Sequence, residues 1–179
     1  MRYEFKWGKR IINLAFDISS KRYDMRYMRG ITNRTKDGLY CVFLEYDNII
    51  LPYVEDELKR LQAQFELSAF LVVKSSKNSY HCYCFDKVPY KLYREIQDNA
   101  TIDKKWVSFP INHGTHNWVL RYTPKKNNRI KPIRIVYSEH SKYQQSRPHL
   151  LLVEKIFNIS LKSHNLDTES NLYIGGYYI

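Results

Sequence analysis

Apolar positions along this chain follow two periods, and each change of period marks an element. Residues 39–47 (Leu-Tyr-Cys-Val-Phe-Leu-Glu-Tyr-Asp) are an apolar run of strand length that closes on two acids, opened by the turn signal Lys36-Asp37-Gly38. Over 51–67 the period lengthens: Val54, Leu58, Leu61 and Phe65 recur at helical spacing behind Pro52, with acids early and Lys59 and Arg60 later, which predicts an amphipathic helix lying on a sheet. Residues 69–74 and 79–85 read as two strands joined by a turn at 75–78. A second helix is predicted over 89–97, again behind a proline and with Leu92 and Ile96 on one side. Strands at 118–122 and 133–137 follow, and a last helix over 148–159 carries Leu150, Leu151, Val153, Ile156 and Phe157. Strand, helix, strand and hairpin in that order predict an α/β (α+β) mixed sheet flanked by helices.

The two ends of the chain are less patterned. Residues 1–38 hold one short apolar run, 11–16, and the tail from 165 is polar and then rich in Tyr and Gly, an edge strand or a loosely held segment. No repeat or low-complexity linker divides the 179 residues, so a single domain is expected: a basic segment 1–38, a core 39–126, and a strand, helix and tail over 127–179.

Charge narrows the partner. The chain carries a net +11, and 15% of its residues are aromatic, 16 of them Tyr. Lysine and arginine neutralise phosphates and release counterions, so nucleic acid or nucleotide is the expected partner, and no lysine-rich amphipathic helix argues for a membrane surface. Arg22, Arg26 and Arg29 fall at helical spacing among Tyr23 and Tyr27, a pattern that suits a nucleic-acid strand or a plain solvated helix face. Three cysteines, an odd number inside apolar runs, argue for small buried thiols in a reducing, cytoplasmic compartment rather than disulfides or zinc. No stretch has the length of a membrane span or the apolar core of a leader.

Candidate chemistry sits on the strands. In an extended chain Glu45 and Asp47 share a face, and two adjacent acids are relieved either by solvent or by a divalent cation between them. Ser79, His81 and Tyr83 also share a face, and with Lys74 and Lys77 just upstream they suit a phosphate cradle, although a lone strand histidine can equally be structural. Asp103 follows the apolar Ile102. Joined to Glu45 and Asp47 it would complete a set of three acids able to hold one or two divalent ions, with Arg121 and Lys125 against phosphate. His113 and His116 have metal-ligand spacing but lie in a glycine-containing loop, where solvated or capping histidines are the alternative.

The order of these motifs resembles the archaeo-eukaryotic primases and primase-polymerases. Glu45-Tyr46-Asp47, Ser79-Tyr80-His81, Ile102-Asp103 and Leu120-Arg121 with Thr123 and Lys125 follow that family's succession of an acidic pair, Ser-x-His, a further acid and an arginine strand, over about residues 39–126. The resemblance implies an RRM-like catalytic core in which Glu45, Asp47 and Asp103 bind Mg²⁺ or Mn²⁺ and Ser79 and His81 meet the nucleotide; Lys77, read from the loop as part of the phosphate cradle, is expected beside them. The resemblance further implies that Arg121 and Lys125 contact phosphate. Its implied partners are nucleoside triphosphates and a single-stranded DNA template, with a helicase or other replication protein beside them. The implied activity is template-dependent nucleotide transfer in the replication of a virus or plasmid. The sequence departs from the pattern at Glu45, where aspartate is commoner, and at the unmatched residues 113–116. A non-catalytic replication initiator or accessory module is the alternative expectation, and a metal-dependent nuclease a third.

Overall fold

The computed structural model describes residues 29–124, 130–139 and 142–161 in full, together with the backbone of 2–7 and 10–15. Two strands near the start, β1 (Arg2–Trp7) and β2 (Arg10–Ala15), pair antiparallel with Trp7 opposite Arg10. After them come β3 (Gly30–Thr32), β4 (Tyr40–Asp47), α1 (Leu51–Phe65), β5 (Phe70–Ser76), β6 (Ser79–Val88) and α2 (Tyr90–Asp98). The chain continues through α3 (Lys104–Asn112), β7 (Val119–Arg121), β8 (Lys131–Val136) and α4 (Arg147–Phe157). The fold is mixed α and β, and among the described residues no helix is long and apolar enough to cross a membrane. Arg22, Arg26, Lys125 and the tail from 165 lie outside the described residues.

Four strands build the central sheet in the order β4-β6-β5-β8, each pair antiparallel. β4 and β5 therefore run parallel with β6 between them, and α1 is the crossover that such a split unit requires. Proline in its first turn and an αL cap at Glu66 (φ 54°) bound α1, and its buried residues Val54, Leu58, Leu61 and Phe65 are those the periodicity predicts. They pack with Tyr93 and Ile96 of α2 on the sheet face made by Val42, Leu44, Val72, Cys82 and Cys84. All three cysteines are buried thiols.

The opposite face is made by Cys41, Phe43, Leu71, Val73, Tyr83 and Phe85. It is covered by Ile31 and Leu120 from a small β3–β7 ribbon and by Leu150 and Val153 of α4. Alternation explains how one strand serves both layers, odd positions of β4 facing the ribbon and even ones facing α1. Buried Asn33 ties the ribbon to β4: its carbonyl accepts from Cys41 N–H at 2.8 Å, and its Oδ1 accepts from Trp118 N–H at 3.0 Å. The strand predicted at 118–122 thus belongs to a separate two-stranded sheet.

Besides β1 and β2, two elements went beyond the sequence pattern. α3 contains Pro110, which cannot donate to the carbonyl four residues back, and its only fully buried residues are Val107 and Pro110, so its apolar period is weak. β3 is three residues long and takes its strand pairing from β7, with the Thr32 carbonyl also accepting from His149 Nε2 of α4 at 3.0 Å. Since residues 30–32 are extended, the helical spacing of the arginines does not continue past Arg29.

Candidate functional site

Register brings the first two motifs together. β4 pairs with β6 so that Glu45 stands opposite His81 and Asp47 opposite Ser79. All four then project from the face that also carries Phe43 and Tyr83. His81 is buried, and its Nε2 lies 3.4 Å from Glu45 Oε1, a carboxylate that remains 22% exposed. Asp47, at the strand end, is exposed. The turn between β5 and β6 is held against this end by Ile49 N–H, which donates to the Asn78 carbonyl at 3.0 Å.

The third acid arrives through the backbone. Ile102 is buried in the layer beneath α1 and α2, and the next residue, Asp103, donates its N–H to the Glu45 carbonyl at 2.9 Å. β4 is an edge strand, so this bond uses a group the sheet leaves unpaired. Asp103 is also the N-cap of α3, its Oδ1 accepting from Lys105 N–H at 2.9 Å. An aspartate followed by a helix is a sequence signal of its own, and it escapes notice when the residue is read only as a motif acid.

Arg121 ends β7 opposite Gly30 and is half-buried near both acids of β4. Burial lowers its proton affinity, while the Glu45 and Asp47 carboxylates counter that by favouring the charged form. One guanidinium N–H donates to the Thr123 carbonyl at 3.0 Å. Arg29 lies across the same ribbon end: its N–H donates to Thr123 Oγ1 at 2.9 Å, and its carbonyl accepts from Tyr122 N–H at 2.9 Å.

Glu45, Asp47, Ser79, His81, Asp103 and Arg121 are thus gathered at one end of the sheet. Lys77 is exposed in the adjoining turn, its carbonyl 3.5 Å from Ser79 Oγ. His113 and His116 belong elsewhere. His113 caps the C-terminus of α3, and His116 Nδ1 sits 3.2 Å from the Tyr90 hydroxyl, in line with the capping alternative.

Tyr83, which alternation places on one face with Ser79 and His81, was given no role of its own by the sequence. Its hydroxyl is buried without a hydrogen-bond partner, and so is His81 Nδ1 on the same strand face. Burial first, and the Glu45 charge second, raise the Tyr83 phenol far above its ordinary value, which keeps the hydroxyl protonated as a donor. Its place two residues beyond His81 was the available signal.

The three acids offer hard oxygen donors, the chemistry that suits Mg²⁺ or Mn²⁺. Among the described residues no three His, Cys, Asp or Glu side chains are gathered closely enough to hold an ion, Glu45 facing His81 and Asp103 facing its cap. No known family, characterised protein or solved structure matches this chain.

Proposed function

We propose that this chain is a template-dependent nucleotidyltransferase of the primase or primase-polymerase type, working in the replication of a virus or mobile element. The observation that carries the reading is the Asp103 N–H bond to the Glu45 carbonyl, 2.9 Å long. It joins two short motifs, 58 residues of sequence apart (103 − 45), at one strand end that also has Ser79 and His81 in register and Arg121 nearby. Short motifs match by chance, whereas their meeting in space is an independent requirement. An RRM-like description of the core rests on β4-α1-β5-β6, because β8 joins the sheet beside β5 and contributes none of these residues.

In this reading Glu45 and Asp47 would hold Mg²⁺ or Mn²⁺, and Asp103 would serve as third ligand only on turning from its Lys105 N–H cap. The ion, when bound, would activate a 3′-hydroxyl and neutralise charge on the transferring phosphoryl group. The new bond joins that oxygen to the α-phosphorus of a nucleoside triphosphate, pyrophosphate leaves with the electrons of the broken bond, and the hydroxyl proton passes to solvent. Arg121 would hold phosphate oxygens as a fixed fork, and Lys77 would add a mobile charge at the rim. Ser79, His81 and Tyr83 supply hydrogen-bonding groups inside the site. A single-stranded DNA template would be held by the basic surface.

The test is primer extension and de novo synthesis on single-stranded DNA with Mg²⁺ or Mn²⁺, using labelled nucleotides of both sugar types, beside Asp47→Asn and His81→Ala. Product that is lost in both folded variants, with DNA binding retained in Asp47→Asn, supports the reading. Asp47→Asn should bind DNA as well as the parent or better, since an acid near phosphate is repulsive without its metal.

The scattered acid side chains favour a second reading, a nucleic-acid-binding replication module without catalysis. It predicts no product from a protein that still binds single strands with a steep salt dependence.

A further inference from the structure

We infer that the outer face of α3 is a stacking track for single-stranded nucleic acid that leads away from the acid site. The inference rests on the preceding reading only in taking nucleic acid as the partner. α3 is capped at its N-terminus by Asp103, whose backbone is bonded to Glu45, so its first turn adjoins the candidate site. Val107 and Pro110 bury the inner side. Lys104, Lys105, Ser108, Phe109, Asn112 and His113 are all exposed.

Lys105, Phe109 and His113 recur every four residues and therefore form one line, about 12 Å long at 1.5 Å per residue. Phe109 is 55% exposed, and its ring lies tilted against that of His113, with centroids 4.2 Å apart and planes 31° apart. His113 Nδ1 lies 2.8 Å from the Phe109 carbonyl. A carbonyl only accepts, so Nδ1 carries the hydrogen and the imidazole is held in place. Two rings held against each other on a helix leave their outer faces open to a base and have little entropy left to lose on binding.

An exposed phenylalanine by itself means nothing. Here it continues a line of charge, because Lys104 and Lys105 precede it and make no ion pair among the described residues, in a chain of net charge +11. Cations spaced along a helix from flat rings match a strand whose phosphates and unpaired bases alternate. A duplex keeps its bases stacked inside and has no use for the rings. An acidic peptide would meet the lysines but offers nothing to stack on the rings.

The full chain is titrated with a labelled single-stranded oligonucleotide, with a duplex of the same sequence, and with polyglutamate as competitor. Phe109→Ala should weaken single-strand binding about fivefold or more while duplex binding is unchanged, and Phe109→Trp should restore it. Lys104→Glu with Lys105→Glu should weaken binding to both and flatten the single-strand salt slope by at least about 1.4. Unchanged single-strand affinity in a folded Phe109→Ala protein overturns the inference. So does polyglutamate competing equally against the parent and Phe109→Ala, the outcome expected of an acidic-peptide surface. A Phe109→Ala protein that binds and extends primers like the parent sinks the track and leaves the nucleotidyltransferase standing. Absence of synthesis by a parent whose binding depends on Phe109 does the reverse.

Discussion

The two faces of the central sheet are made by the same strands and finished differently. Toward α1 and α2, buried polar groups have partners. The Tyr46 hydroxyl donates to Glu57 at 2.9 Å, and the Tyr93 hydroxyl donates to the Phe43 carbonyl at 2.9 Å. Gln62 Nε2 serves the Ser68 and Val136 carbonyls, with Gln97 Nε2 the exception. Toward the β3–β7 ribbon, Glu45, Asp47, His81 and Arg121 share a small space, and His81 Nδ1 and the Tyr83 hydroxyl are buried with no partner. An unmet buried donor or acceptor costs about 1–3 kcal/mol, so the second face gives up stability that the first retains. Such sacrifices are concentrated where ligands bind, which makes the second face the candidate site and the first the core.

The largest effect should come from breaking the closed face. Leu58→Ala removes a fully buried side chain from beneath α1 and should cost about 2–5 kcal/mol, read as a shift of the urea midpoint. Ligand binding per folded molecule should be unchanged, because Glu45, Asp47, Ser79 and His81 project from the opposite face of the sheet. Binding lost in step with stability would show that the faces do not act separately.

Next is the polar end of the same face. Asp86 is buried and accepts from Ser68 N–H at 2.7 Å and from Ser68 Oγ–H at 2.6 Å, while Gln145 Nε2 donates to Ser68 Oγ at 2.6 Å. Asp86→Asn keeps one acceptor and turns an amide donor toward a donor, which should cost about 1–3 kcal/mol at neutral pH. Burial raises the Asp86 carboxyl above its ordinary 3.8 despite those bonds. The folded parent therefore binds the proton more tightly than the unfolded chain, and this carboxylate's penalty, full above the raised folded value, disappears as pH falls toward 3.8. Urea titrations from neutral pH down to that range should show the parent gaining on Asp86→Asn, and a gap that stays constant would contradict the assignment.

The smallest effect makes the sharpest comparison. Tyr93→Phe removes a satisfied hydroxyl and should cost about 1 kcal/mol, whereas Tyr83→Phe removes an unsatisfied one and should be neutral or stabilising. If the second hydroxyl is kept for a ligand, Tyr83→Phe should bind nucleotide more weakly in spite of its greater stability. Equal losses of stability in the two variants would mean that Tyr83 finds a partner within the folded chain.

What the sequence determined by itself was the local part of this protein. Period and punctuation were enough for α1, α2 and α4 and for the strands β4, β5, β6 and β8, because each buries a face through residues near one another in the chain. They were enough too for the pairs Glu45 with Asp47 and Ser79 with His81, since alternation alone sets which side chains share a face. Tertiary structure decided the rest. Whether Asp103 meets Glu45 depends on one backbone bond across 58 residues (103 − 45), whether Tyr83 has a partner depends on what the ribbon and α4 lay over it, and β3 exists only because β7 lies beside it. Those outcomes hinge on contacts between distant segments, and no window of neighbouring residues carries the information that selects them.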